Sequence, residues 1–303
     1  ASHQALLGPE SAAAAWDMMS LGLILNMKGD LGAAESLIRK GLEIYRGGAV
    51  DEDGPLAGEQ SIIVDALSSL CLILYRKEAY AEAEREALEV AKRALGEQHP
   101  QVAMALNNLG ATLRQLGRIE EGLGLYRQAI EIQKATGGAD SPEAAAGMSN
   151  LGLVYLDLGA PEKAEPLFRE SLEIRRKRFP PGHLATAESL SGLGAAIVRQ
   201  GRAAEAEPLL SEAIEIRRNG MQPGDGRLGN TLGYMCECLI GQERFADAEP
   251  LLREAYQIIR TRRGDKHPQT ISLLRNLIVV CDALKKGDDA ATFRAALDAA
   301  TDK

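Results

Sequence analysis

Between Val102 and Leu116 the apolar residues fall at Val102, Leu106, Leu109, Leu113 and Leu116, with Gly110 on the same stripe. Steps of three and four mark one face of an α-helix. The stripe returns downstream. The segments LNNLGATLRQLGRIEEGLGLYRQAIEI, MSNLGLVYLDLGAPEKAEPLFRESLEI and LSGLGAAIVRQGRAAEAEPLLSEAIEI set Leu109-Gly110, Leu151-Gly152 and Leu193-Gly194 42 residues apart. A fixed period of this size predicts stacked helical pairs, each too small to bury its own apolar face. The same register carried outward gives anchors at Leu21, Leu70, Leu109, Leu151, Leu193, Met235 and Leu277, and so seven pairs or fourteen helices. The predicted fold is all-α, a right-handed superhelical solenoid over residues 12–303 behind an N-terminal tail, 1–11. The first anchor step is longer and holds the non-periodic stretch GGAVDEDGPLAGEQ, predicted to be a surface loop at 47–60.

Local signals agree with this frame. The residue after each anchor is Gly22, Cys71, Gly110, Gly152, Gly194, Cys236 or Ile278, and thirteen after the anchor come Ala34, Ala83, Gly122, Ala164, Ala206, Ala248 and Ala290. A small residue at a fixed place on each helix of a pair predicts close crossing. Ile278 and Arg294 depart from the pattern, as expected of a terminal repeat. Ser141-Pro142, His99-Pro100 and His267-Pro268 read as helix starts, and Gly117, Gly159 and Gly201 as stops. Acidic residues open the second helices and basic ones close them, matching the helix dipole. Pro166, Pro208 and Pro250 sit early in second helices, where a slight bend is expected.

Composition narrows the function. Apolar residues make up 45% of the chain but aromatics only 4%, so the core is aliphatic. The net charge of −8 argues against a nucleic-acid partner, which calls for a basic excess. No apolar run approaches the ~20 residues of a membrane helix, and ASHQALLGPE has neither the basic nor the apolar region of a secretory leader. Cys71, Cys236, Cys238 and Cys281 lack a second ligand pair for zinc and read as small hydrophobes in a reducing cytoplasm. No phosphate loop, nucleophile elbow or metalloprotease motif occurs. His99, His183 and His267 are spaced by two periods in inter-repeat loops, which makes them repeat punctuation, not a cluster. The expectation is therefore no catalytic residue, no metal and no cofactor.

These residues resemble the tetratricopeptide repeat: the Leu-Gly pair, the small residue in the second helix, and the aromatics Tyr126 and Phe168 all fit. The 42-residue period, the run HPQVAMALNNL (His99 to Leu109) and the repeated AEPL at Ala164, Ala206 and Ala248 are closest to the kinesin-light-chain type of repeat. The resemblance implies a concave groove lined by the first helices and a protein or peptide as partner. The face opposite the core stripe holds Met104, Asn107, Asn108, Ala111, Arg114 and Gln115. One repeat on it holds Ala146, Ser149, Asn150, Leu153, Leu156 and Asp157, and in the next Glu188, Ser191, Gly192, Ala195, Val198 and Arg199. A solvated face is mostly charged; this one is small, amide and aliphatic, the character of a partner site. The resemblance further implies that Asn107 and Asn108 hold a peptide's backbone, with Asn150 beside Ser149 matching half of that pair. Ala111, Leu153 and Ala195 stand where a chaperone-tail carboxylate clamp would need asparagine, so that clamp is not expected. Arg114 and Arg199 flank the face and would favour some acidic residues in the partner. The basic ends of the second helices offer an alternative docking strip for an acidic surface.

The reading that follows is a non-catalytic, cytoplasmic scaffold that binds protein or peptide, with no nucleic acid and no integral membrane association. Two alternatives stand beside it. One is a bacterial kinesin-light-chain-like protein on a tubulin-like filament. The other is a regulatory arm of a larger signalling enzyme, motivated by a chain that begins almost at the first repeat.

Overall fold

The computed structural model describes residues 12–27, 30–46, 85, 88, 89, 92, 95–222 and 224–301. The tail 1–11, the loop 47–60 and the repeat anchored at Leu70, with Cys71 and Ala83, lie outside the described residues. Among the described residues there are twelve α-helices and no strand. They are α1 (Ala12–Met27), α2 (Leu31–Arg46), α3 (Pro100–Gln115), α4 (Ile119–Gly137), α5 (Pro142–Asp157), α6 (Pro161–Arg178), α7 (Leu184–Arg199), α8 (Ala203–Gly220), α9 (Gly226–Gly241), α10 (Phe245–Arg263), α11 (Pro268–Ala283) and α12 (Gly287–Thr301). The chain forms two compact units, 1–150 and 151–303, and the boundary falls inside α5.

The predicted helix starts are where the spacing put them, and the structure gives them one mechanism. His99, Ser141, His183, Asp225 and His267 follow one another at 42-residue steps. The Nδ1 atoms of His99, His183 and His267 accept from the backbone N–H two residues on, at 3.3, 3.1 and 3.2 Å. Ser141 Oγ accepts from Ala144 N at 3.0 Å and Asp225 Oδ1 from Arg227 N at 2.8 Å. Each satisfies an amide that the first turn leaves open. At the other end, Gly117, Gly159 and Gly201 take φ of +75°, +68° and +76°, the left-handed stop expected of them. The two equivalent positions further on carry Glu243 and Lys285, at φ 59° and 58°. Pro166, Pro208 and Pro250 lie inside continuous helices.

The helix crossings follow the small residues. A Cβ on Gly22 would lie 2.6 Å from Ile38, on Gly110 2.8 Å from the Tyr126 ring, on Gly152 2.7 Å from Phe168 and on Gly194 2.6 Å from Leu210. The partner is sixteen residues on in every case. In the unit 151–303 each described helix from α6 to α12 packs on its sequence neighbour, and first helices also meet first helices, α7 on α9 and α9 on α11. This is an all-α solenoid of helical pairs. Two positions expected on the core stripe are exposed: the first anchor, Leu21, at 48%, and Leu116, at 45%. Leu116 is the C-cap residue of α3, where the chain turns off the helix axis and the 3.6-residue phase stops applying.

Candidate functional site

The residues expected on the first-helix face divide by burial. In the unit 1–150, Met104 on α3 is 57% exposed and Asn108 is exposed, while Asn107, Ala111 and Arg114 are half-buried. Asn107 Oδ1 is buried and has no hydrogen-bond donor among the described residues. On the same unit's part of α5, Asn150 is half-buried and Ser149 fully buried. In the unit 151–303, Leu153 and Val198 are half-buried and Arg199 is exposed, whereas Leu156 and Ser191 are buried. Ser191 shares a hydrogen bond of 3.0 Å with Thr231 on α9, which commits its hydroxyl to holding α7 against the next first helix. Arg199 donates to the Leu156 carbonyl at 2.8 Å, near the C-terminal end of α5. Beside it, Glu237 stands where Leu153 and Ala195 stand in earlier repeats; burial pushes its carboxyl up and the Arg199 charge pulls it down.

The same unit carries a pocket of about 240 Å³ on this face. It lies between α5, α7 and α9, with Leu153, Ser191 and Gly192 from the expected face and Arg217, Asn230 and Tyr234 from beyond it. The last three were not among the expected site residues. The signal for them is in the repeat alignment, since Arg217 is one period after Arg175 while Asn230 is one period after Glu188. The arginine recurs and its acid does not.

The basic ends of the second helices are partly engaged within the chain. Arg175 and Arg217 are 3% and 5% exposed. Arg175 donates to Ala185 O at 2.7 Å and to Ser189 Oγ at 3.0 Å, and pairs with Glu188 at 2.9 Å. Arg217 donates to Arg227 O and, at 2.6 Å, to Thr231 Oγ1. Burial pulls both guanidinium groups below their ordinary range. Some of their exposed neighbours are in ion pairs. Arg176 meets Glu212 and Arg218 meets Glu254, each at 2.7 Å and each 36 residues on, while Arg260 meets Asp265 at 2.6 Å. A long guanidinium at the end of one helix reaches the next repeat, so part of the charge that the sequence places on a ridge is paired between repeats.

Two further groups complete the chemistry. Cys236, Cys238 and Cys281 are buried free thiols, and burial pushes the Cys236 thiol up to about 12, away from nucleophilic use. Glu249, Cys281 and Asp289 bring their ligand atoms within 4.8 Å of one another. Arg253 lies 3.0 Å from Glu249 and 2.6 Å from Asp289, and Lys286 2.6 Å from Glu249, so two cations already occupy the charge. No helix among the described residues is long and apolar enough to cross a membrane.

Sequence profiles of the tetratricopeptide repeat match residues 63–135, 101–177, 143–219 and 239–269, together more than half of the chain. No curated relative matches the sequence. Among solved structures, the chain is similar to BtubC (BKLC) from P. vanneervenii, at 21% identity and TM-score 0.59, over 77% of this chain and 92% of that one. It is similar to nearly identical TPR-like repeats of a Podosopora anserina kinesin light chain, at 20% identity and TM-score 0.54, over 67% of this chain and 95% of that one. A third likeness is to the apo form of RapI, at 16% identity and TM-score 0.62, over 94% of this chain and 96% of that one. The chain belongs to the tetratricopeptide repeat family, and its helical pairs keep the 42-residue spacing of the kinesin-light-chain-like type.

Proposed function

We propose that this protein is a non-catalytic scaffold of the cytoplasm that binds a protein or peptide segment along its first helices. The observation that carries this reading is the character of that face. Met104, Asn107, Asn108, Ala111, Arg114 and Asn150 in one unit, and Leu153, Val198 and Arg199 in the other, combine apolar surface with amide groups and few charges. The exposed amide of Asn108 is suited to pair with a peptide backbone. Backbone hydrogen bonds of this kind give register, and shallow apolar contacts give modest selectivity. Ser149, Leu156 and Ser191 support the face from beneath and make no contact with the segment. A solved Rap protein in complex with competence and sporulation factor shares the fold at 15% identity and TM-score 0.55, so a helical-repeat array of this build can hold a ligand of that kind.

The test begins with affinity capture of the partner and uses the double change Asn107→Ala with Leu153→Glu in the full chain, after circular dichroism has shown the fold intact. We expect binding, of micromolar order or about −8 kcal/mol, to fall at least about tenfold. Undiminished affinity would remove the face as the site.

A further inference from the structure

Repeat symmetry leaves one charge beside the groove unbalanced. Arg175 and Arg217 occupy the same repeat position, and each pins a second helix to the first helix after it. At Arg175 the cation is matched by the Glu188 carboxylate at 2.9 Å. At Arg217 the backbone and hydroxyl bonds recur, but Asn230 stands in the place of Glu188. Asn230 Oδ1 already accepts from Gln269 Nε2 at 2.8 Å. The other acids near Arg217 are engaged too, Glu188 by Arg175 and Asp225 by Arg227 at 3.1 Å. Arg217 is 5% exposed, and its Nε has no acceptor among the described residues. A buried cation with an open donor is costly unless an anion meets it. Arg217 lines the pocket of about 240 Å³ together with Leu153, Glu188, Arg227, Asn230 and Tyr234, and around it three guanidinium groups, Arg175, Arg217 and Arg227, share the two carboxylates of Glu188 and Asp225, which leaves one positive charge in excess.

We infer that this pocket receives a carboxylate side chain, aspartate or glutamate, of the segment bound in the groove, with Arg217 as its counter-charge. The inference rests on the groove reading above and names the residue class that one part of it selects. Arg227, held by Asp225 at 3.1 Å, stands at the rim. Leu153, Met221 and Tyr234 surround the methylene stem and shield the ion pair from water, which strengthens it. The amide of Asn230 leaves the acid's place unoccupied by charge, so the partner supplies what the chain itself supplies one repeat earlier.

Arginine Nε–Hε NMR of the full chain tests this, with Arg217 assigned by the loss of its signal in Arg217→Lys. The probes are the capped tripeptides Ac-Ala-Glu-Ala-NH2 and Ac-Ala-Gln-Ala-NH2, and free glutarate. The Glu peptide is expected to shift the Arg217 signal, with the Gln peptide at least about tenfold weaker. Asn230→Glu rebuilds the Arg175–Glu188 pair within the chain. It should abolish the response to the Glu peptide while raising Tm, and it keeps the test open if Arg217→Lys does not fold. Equal shifts from Glu and Gln peptides, no shift at all, or an unchanged titration in Asn230→Glu would overturn the assignment. Glutarate binding as tightly as the Glu peptide would overturn the peptide as the source of the carboxylate. If Asn107→Ala alone weakens binding of the captured partner while Arg217 of the parent chain stays silent to the Glu peptide, the groove stands and only this pocket falls.

Discussion

Phe168 shows how a single side chain sets its neighbours. Its ring is fully buried, with Gly152 against one part of it and Gly192 against another, and a Cβ at either glycine would overlap the ring. One repeat on, the smaller Leu210 replaces Phe168, and Tyr234 stands where Gly192 was. The sizes compensate. Gly192→Ala should therefore cost ~1–3 kcal/mol by overpacking, and less in a Phe168→Leu background, because the two sites share one space. Denaturant unfolding of the four variants checks this; strictly additive effects would mean that the glycine does not serve the ring. Backbone conformation offers the opposite kind of change. Glu243 holds a left-handed φ of 59° where Gly117, Gly159 and Gly201 stand in earlier repeats. A side chain in that region costs ~1–2 kcal/mol, partly offset by glycine's larger entropy when unfolded. Glu243→Gly should raise stability by up to about 1 kcal/mol, read as a higher Tm.

At the scale of the helix, the repeated cap is the main device. A histidine caps through Nδ1 only while that atom is unprotonated, and at His267 this makes the start of α11 pH-sensitive. For His267, burial and the adjacent Arg263 hold the imidazole below its ordinary value. As pH falls, the unfolded chain takes up the proton first, at about 6.5. The cap's contribution is thus complete above that pH and is lost as pH falls through the lower folded value. His267→Asp, which copies Asp225, should keep the cap and lose less stability between pH 7 and pH 5 than the parent. Urea midpoints at the two pH values decide it, and identical losses in both proteins would count against the cap.

Within the unit 151–303, successive pairs are joined by two kinds of polar contact, and adjacent residues separate them. Arg175 is buried, with two neutral acceptors and Glu188. Arg176, next in sequence, makes an exposed pair with Glu212 at 2.7 Å. Deleting a buried charged donor forfeits bonds worth ~1.5–3 kcal/mol each in measured series, whereas an exposed pair is worth ~0–1 kcal/mol. We expect Arg175→Ala to cost ~2–4 kcal/mol and Arg176→Ala less than ~0.5 kcal/mol, measured by chemical unfolding. Comparable losses would mean that the outer ladder carries the stacking. Arg169–Glu205, Arg218–Glu254 and Arg253–Asp289 extend that ladder, and its exposure means that salt screens it more than the buried Arg175 contacts.

The pattern of residues along the chain determined the helical pairs, their period, the crossing contacts sixteen residues apart and the caps. All of these depend on near neighbours in sequence, where helix phase alone decides which side chains meet. It also contained the substitution of Asn230 for Glu188, legible once the repeats are set side by side. What only the packed chain decided is which residues of the first-helix face remain accessible. Ser149, Leu156 and Ser191 share the helical phase of exposed positions yet are buried; Ser191 is tied to Thr231 on the next first helix, and that depends on how pairs stack. The fate of the arginines was settled in the same way. A four-bond side chain can point to solvent or reach the next helix, and helix phase does not distinguish the two. The tertiary contacts at Arg175 and Arg217 do.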